Sequence, residues 1–302
     1  MVNAIGILDS SLARAVLWGA AWDMTRDAEV STGDYLALVI SGIGSESDVG
    51  VVQGVLRQLR TAIDVYAAPG HRGEYSARLA SATHSFATAA DPGSDHQLAF
   101  ARAFVASATT TAQLDVVSGL LDGSIMWEGL VIDTDLRWFL LQRLVAAGRL
   151  EDDAIEAEVR RDDTATGRRQ AALARAARPT AVAKDLAWAE VIDRTDLPNA
   201  IMEATIAGFM QPDHTDLLRP YRARFFADLP RVWSERTNET ASSITMGLYP
   251  ALLIDAETIE ATNVFLADTN TATQSPAGRR LLIEGRDGVE RAMRARKKDA
   301  NA

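Results

Sequence analysis

Apolar positions along this chain recur at spacings of three and four, with almost no run that alternates residue by residue. That pattern predicts helices rather than strands. From Asp48 to Tyr66, the residues Val52, Val55, Leu56, Leu59, Ile63 and Tyr66 fall on one face. Ser47 or Asp48 is placed to cap the start, and Ala68-Pro69-Gly70 to end it. A second helix begins at Asp133 or Thr134, carries Leu136, Leu140, Leu144 and Ala147 as its stripe, and closes at Gly148. A third begins at Ser275-Pro276, where the missing proline N–H costs nothing.

Between these, the same periodicity predicts helices at about 10–26, 33–43, 71–90, 94–107, 110–122, 151–162, 166–177, 180–193, 197–209, 214–227, 230–247, 255–267 and 276–295. Their connections are short and marked by Asp91-Pro92-Gly93, Arg178-Pro179-Thr180, Gln211-Pro212-Asp213 and Tyr249-Pro250. Short connections make successive helices antiparallel neighbours. The expected fold class is all-α, a superhelical array of antiparallel helix pairs of HEAT/armadillo-like solenoid type. No strict repeat can be aligned, and a compact globular all-α domain is the second architecture open to the pattern. Residues 1–302 read as a single domain with a seam near 120–134, and the tail from Arg291 to Ala302 is expected to fray.

Composition narrows the chemistry. The chain has 302 residues, 47% of them hydrophobic and 24% charged, enough for a sizeable core. Its formal charge of −10 argues against nucleic acid or an anionic membrane surface as the main partner. There is no cysteine, which removes disulfides, thiol catalysis and thiolate metal ligands. The start, Met1 to Asp9, lacks the basic region and long apolar run of a signal peptide, and no apolar stretch reaches transmembrane length. A cytoplasmic location fits these features.

Catalytic signatures are absent. The four histidines, His71, His84, His96 and His214, form no HExxH pair. His71 and His214 are expected at the surface or as caps; His84 and His96 either pack or lie exposed. There is no phosphate loop and no nucleophile elbow. Carboxylate groups at Asp133 and Asp135, Glu151 to Asp153, and Asp162 with Asp163 lie at helix ends, where caps account for them. Trp18 and Trp22 share a helix face with Arg14 one turn earlier, a core-packing pattern. Asp133, Asp135 and Arg137 stand together at a helix start beside Trp138, as a salt-bridged clamp or a peptide-contacting surface. No catalytic or metal-binding residue is assigned. The candidate peptide-facing residues are Asp135, Arg137, Trp138 and Gln211, at helix ends and turns.

Several segments resemble, in order along nearly the whole chain, the C-terminal helical domain of the actinobacterial aminopeptidase N family. They are LARAVLWGAAWDMTRDA (Leu12 to Ala28), DYLALVISGIGSESDVG (Asp34 to Gly50), Asp133 to Gly148, DDTATGRRQAALARAARP (Asp162 to Pro179) and LPNAIMEATIAGFMQP (Leu197 to Pro212). The resemblance implies a parent that releases N-terminal amino acids from peptides. Such a parent holds one zinc through HExxH and a downstream glutamate, and grips the substrate N-terminus with GAMEN. Neither motif occurs here. The chain then corresponds to the C-terminal domain alone, starting at an added or incidental methionine and carrying no cofactor of its own. Its implied partners are the catalytic domain of the same polypeptide and peptide substrates, and its implied job is to shape and close the peptide chamber. An independent α-solenoid scaffold that binds other proteins is the alternative; a self-contained enzyme ranks third.

Overall fold

The computed structural model describes residue 5 and residues 8–302; most of the N-terminal segment read above as lacking a signal peptide lies outside the described residues. Among the described residues the structure is helical, with no strand. In chain order the helices are α1 (Ser11–Arg26), α2 (Thr32–Gly42), α3 (Val49–Thr61), α4 (Arg72–Ala89), α5 (Asp95–Ser107) and α6 (Thr111–Asp122). Then come α7 (Thr134–Ala146), α8 (Asp152–Arg161), α9 (Ala165–Ala176), α10 (Ala181–Asp193), α11 (Asn199–Phe209) and α12 (Thr215–Leu218). The last are α13 (Tyr221–Glu235), α14 (Asn238–Leu248), α15 (Ala256–Ala267), α16 (Thr271–Gln274) and α17 (Pro276–Ala300). Packing divides the chain into two compact units, one of residues 1–140 with 291–302 and one of 141–290.

Helix starts follow from local chemistry. The side chains of Ser10, Ser31, Asp48, Ser94, Thr110, Thr164, Thr180, Thr237, Asp255 and Asn270 each accept from a backbone N–H in the first turn that follows. Each satisfies a donor that no intrahelical carbonyl can reach. Asp48 takes this role for α3, accepting from Val51 at 3.1 Å. Val52, Val55, Leu56 and Leu59 form the buried stripe of α3. The stripe continues through Ile63 and Tyr66 in one π-helical turn, Ala62–Tyr66. That wider turn keeps both side chains on the core.

In the first unit, α4 and α5 pack side by side across the short turn 90–94. Trp18, Tyr35, Val39, Leu79, Phe100, Phe104 and Trp138 are buried in this unit. The connection after α6 folds onto the α4–α5 turn. Gly129 has φ of 79° and lies so close to Pro92 and Gly93 that a Cβ would stand 2.3 Å from the Gly93 nitrogen. Buried Gln97 holds both segments of this contact. Its side chain accepts from Gly93 N–H at 2.8 Å and donates to the Glu128 carbonyl at 2.8 Å.

In the second unit, α9 lies against α11. Alanines line this side of α9, and a Cβ on Gly208 would stand 2.1 Å from the Leu173 carbonyl oxygen. Lys184 is buried beside this contact, its ammonium donating to the carbonyls of Ala176 (2.7 Å), Phe209 (3.0 Å) and Gly208 (3.2 Å). These are the C-terminal ends of α9 and α11, where unpaired carbonyls and the helix dipole favour a cation. Trp188, Phe209 and Tyr221 stack nearby, with ring centroids 4.9–5.7 Å apart. His214, expected at the surface or as a cap, is buried instead. Its Nε2–H donates to the Ala146 carbonyl at 2.8 Å, and burial lowers its pKa.

Two expectations are corrected. The helices predicted at 214–227 and 230–247 divide elsewhere. Helix α13 runs through Pro230, and the break falls at Arg236, ahead of the Thr237 cap. An internal proline costs about 3 kcal/mol. Continuing the helix keeps Phe225, Leu229 and Val232 buried on one face, and Thr271 donates its hydroxyl to the Pro230 carbonyl. Burying three such side chains, at about 1.5–3 kcal/mol each, outweighs the proline.

The tail does not fray. Helix α17 continues to Ala300 and buries Ala292, Ala295 and Asp299 in the first unit, Asp299 with 0% exposure. The Asp299 carboxylate accepts from the Gly33 N–H (3.0 Å), the Ala68 N–H (2.8 Å) and the His71 ring (3.0 Å). Gly33 lies in the first turn of α2, so this carboxylate neutralises orphan donors and the positive end of that helix. Arg296 adds a bond to the Val65 carbonyl at 3.0 Å.

Replacing Asp299 with Ala is expected to lower unfolding free energy by about 3 kcal/mol, because it strands the buried Ala68 N–H and the half-buried Gly33 N–H. Urea denaturation followed by circular dichroism measures this; an unchanged midpoint would return residues 291–302 to a loose tail. Lys184 sets a second test. Burial holds its pKa at about 7, against 10.5 for a free lysine. Above pH 7 the unfolded chain keeps a proton that the folded chain releases, so stability rises as pH climbs toward 9. Lys184→Met should flatten that rise in urea titrations at successive pH values.

Candidate functional site

The residues nominated from the sequence separate once placed. Trp138 is 1% exposed and belongs to the core, leaving no ring surface for a peptide. A tryptophan at helical spacing with Leu141 and Val145 carries the ordinary signal of a core position, and burial of its indole is the stronger driving force. Arg137 is half-buried and donates to the Leu121 carbonyl at 3.0 Å. Asp133 caps α7 by accepting from Leu136 N–H at 2.8 Å. Asp135 remains 61% exposed and pairs with Arg102 of α5. Gln211, in the other unit, is half-buried and donates to the Ala207 carbonyl at 3.0 Å, closing the end of α11.

Asp135 leads to a groove that sequence reasoning did not single out. Its walls are Leu56, Arg57 and Arg60 from α3, Arg102 and Ser107 from α5, and Phe139 from α7; its volume is about 560 Å³. Arg102 divides its guanidinium between Asp135 and the face of Phe139, 5.3 Å from the ring centroid. Arg60 donates its Nε–H to Asp64 at 2.8 Å, while its Nη1 is buried without a partner. The Ser107 hydroxyl, also buried, has no partner either. The spacing of Gln53, Arg57 and Arg60 on α3 and of Arg102 and Ala106 on α5 was the available signal. Each set alone reads as a solvated face.

Two other grooves lie in the second unit. One, of about 720 Å³ among α8, α9, α10 and α11, has alanines and Leu186 as its floor. Its cations are committed: Arg175 to Glu156, Arg178 to Asp152 and Arg194 to Glu190. The other, of about 780 Å³ between α13 and α15, has Phe226, Val264 and Phe265 as its floor and Glu257, Glu260 and Asp268 at its edge.

The most buried ionic cluster serves the fold. Arg14 grips Glu46 through two bonds, at 2.8 and 3.0 Å, and also donates to Ser47 and the Leu8 carbonyl. Glu46 accepts from Trp18 and from the Ser47 N–H at the entry to α3. The hydrogen bonds from Arg14 hold the Glu46 carboxyl below the usual carboxylate range, despite the opposing effect of burial. Every strong donor and acceptor is occupied, which describes a structural pair. Of the two tryptophans expected in the core, Trp18 is buried, whereas Trp22 is half-buried and packs on Tyr35 and Tyr66 at 6.2 and 5.9 Å.

Comparison with known proteins settles the family. The family model described as "ERAP1-like C-terminal domain" matches residues 2–291. The chain belongs to the ERAP1-like C-terminal domain family. It is also 52% identical, over 298 residues, to a protein named "Aminopeptidase N" from Streptomyces lividans. That alignment covers 99% of this chain and 34% of the relative, so the chain spans about a third of the length of the protein it matches.

The zinc that the sequence resemblance implied for a longer parent is the first chemistry to test against these residues. The residues present do not fit one. Among the described residues no three His, Asp or Glu side chains gather to hold a metal ion. The histidines are otherwise engaged: His71 on Asp299, His84 against Phe104 and Trp127, His96 on the Glu46 carbonyl, His214 on Ala146. Among the described residues, no helix is long and apolar enough to cross a membrane.

The placement of α7 gives a paired prediction. Trp138→Ala should cost about 3–5 kcal/mol in unfolding free energy through the cavity it leaves. Asp135→Ala should change it by less than about 1 kcal/mol, as for other exposed ion pairs. Parallel thermal melts of both variants decide; equal costs would contradict the core position of Trp138.

Proposed function

We propose that this chain is the non-catalytic C-terminal domain of a zinc aminopeptidase that releases N-terminal amino acids from peptides. Its role is to shape and close the peptide chamber and to pack on the catalytic part of the same polypeptide. The observation that carries this reading is the match to an aminopeptidase N over 99% of this chain but only 34% of the relative, in a chain without HExxH or GAMEN. In this reading residues 1–302 act as one domain, the helix pairs stack in HEAT/armadillo-like fashion, the single zinc belongs to the parent, and the protein works in the cytoplasm. Asp135, Arg137 and Gln211 remain the residues proposed to face peptide, with Trp138 anchoring α7 from behind.

Helix α1 supports the packing role. Leu12 and Val16 stand four residues apart on its outer face, 74% and 64% exposed, with Leu17 and Leu8 beside them. Apolar side chains aligned in this way favour a covering partner. Burying Leu12 and Val16 would contribute about 1.5–3 kcal/mol each. The proposed cover is the catalytic part of the parent.

An aminoacyl reporter assay tests the function. The chain alone is expected to release no product and to carry no stoichiometric zinc, while the longer polypeptide hydrolyses the reporter. Leu12→Asp combined with Val16→Asp in that longer polypeptide should lower its melting midpoint, yet leave this chain by itself unaffected. Hydrolysis by the chain alone, or one tightly held zinc ion in it, would overturn the proposal. An unchanged midpoint in the longer protein would remove α1 from the docking surface.

A further inference from the structure

The groove between α3 and α5 holds polar groups that nothing in the fold uses. Ser107 is 1% exposed, and its hydroxyl has no partner. The Nη1 of Arg60 is buried and equally unmatched, although the same guanidinium is fixed in place by Asp64. A buried donor without an acceptor is costly, about 1–3 kcal/mol each. Native proteins leave few such groups, and those few call for an explanation. Both of these line one groove. Arg57 lines it too, is exposed, and makes no ion pair or side-chain hydrogen bond among the described residues.

The rest of the groove is apolar. Leu56 and Phe139 contribute hydrocarbon and ring surface, and Arg102 lies over the Phe139 ring rather than over the open space. An apolar floor with convergent donors at one side is the usual form of a small-ligand site. The unmatched groups are donors, two of them guanidinium groups, and the ligand group that suits them is an anion. Arginine N–H groups match the two oxygens of a carboxylate in spacing and direction. A group that can also accept from the Ser107 hydroxyl completes the set. The neighbouring carboxylates, Asp64 and Asp135, are each already paired with arginine.

From this arrangement we infer that the α3–α5–α7 groove binds a carboxylate carried on an apolar body. The carboxylate meets Arg60 Nη1, Ser107 and Arg57, and the apolar part lies on Leu56 and Phe139. This goes beyond the chamber role and does not depend on it: a carboxylate site in this unit stands or falls by binding alone. Two sources share the chemistry, a free aryl or branched carboxylic acid and an acidic side chain flanked by apolar residues in a polypeptide.

Isothermal titration of the 302-residue chain with 4-phenylbutyrate and with its neutral amide tests the inference. The acid should bind saturably, and the amide about tenfold or more weakly, since hydrogen bonds to a charged group are the stronger kind. Ser107→Ala and Arg57→Gln should each weaken the acid by about tenfold. Neither should lower the unfolding midpoint, because neither side chain has a partner to lose; that separates a lost ligand contact from a damaged fold. A peptide, acetyl-Leu-Glu-Leu-amide, supplies the second arm. Tighter binding of the aryl acid assigns the site to small molecules, and tighter binding of the peptide assigns it to a polypeptide segment. Equal affinity for acid and amide, wild-type affinity in both variants, or no saturable binding of either probe at millimolar concentration would overturn it.

Discussion

A helix that ends inside a protein leaves backbone groups that water cannot reach, and this chain packs many helix ends into its interior. Each must find a partner or cost free energy. Short polar caps meet the need where the end is near the surface. Where the end is deep, an ionisable side chain is used. Asp299 accepts from the first turn of α2 and from the Ala68 N–H in one unit. Lys184 donates to the closing carbonyls of α9 and α11 in the other. Glu46 occupies the entry to α3, balanced by Arg14. In each case the sign of the charge matches the end of the helix it serves.

This arrangement accounts for the buried ionisable residues that cap helix ends. A titratable group with every lone pair or proton engaged has no capacity left for substrate. Glu46, Arg14 and Lys184 are buried and have shifted pKa values, features shared with active sites, yet their partners are backbone groups, the Trp18 indole, the Ser47 hydroxyl and one another. The distinction lies in the remainder. In the α3–α5–α7 groove the charges are not fully spent: Arg57 is unengaged, and Ser107 and one nitrogen of Arg60 lack acceptors. Surplus hydrogen-bonding capacity beside a groove, more than a shifted pKa, separates a place that binds from a place that holds.

The family assignment fits a body of this kind. The chain is similar to about a third of the length of a protein named aminopeptidase N, and a helical body of this family contributes surface. Surface needs rigidity, which the deep charges and the close contacts supply. Gly208 against Leu173 and Gly129 against Pro92 bring backbones together at distances no side chain would allow. Neither contact is written in periodicity; each depends on the segment that arrives opposite the glycine.

The sequence by itself determined the helices. Three-and-four spacing set the buried faces, and Ser, Thr, Asp and Asn marked the starts, because both effects act within a few residues. The order of segments also carried the family. Tertiary structure decided what local rules could not reach. It placed Trp138 inside, drew His214 off the surface, carried α13 through Pro230 and held the tail by Asp299. It also gathered Arg57, Arg60, Ser107 and Phe139 from three helices around one groove. Each of these outcomes balances a local cost against a partner distant in sequence. Asp299 and Gly33 are separated by 266 positions, and no periodicity reports a contact of that range.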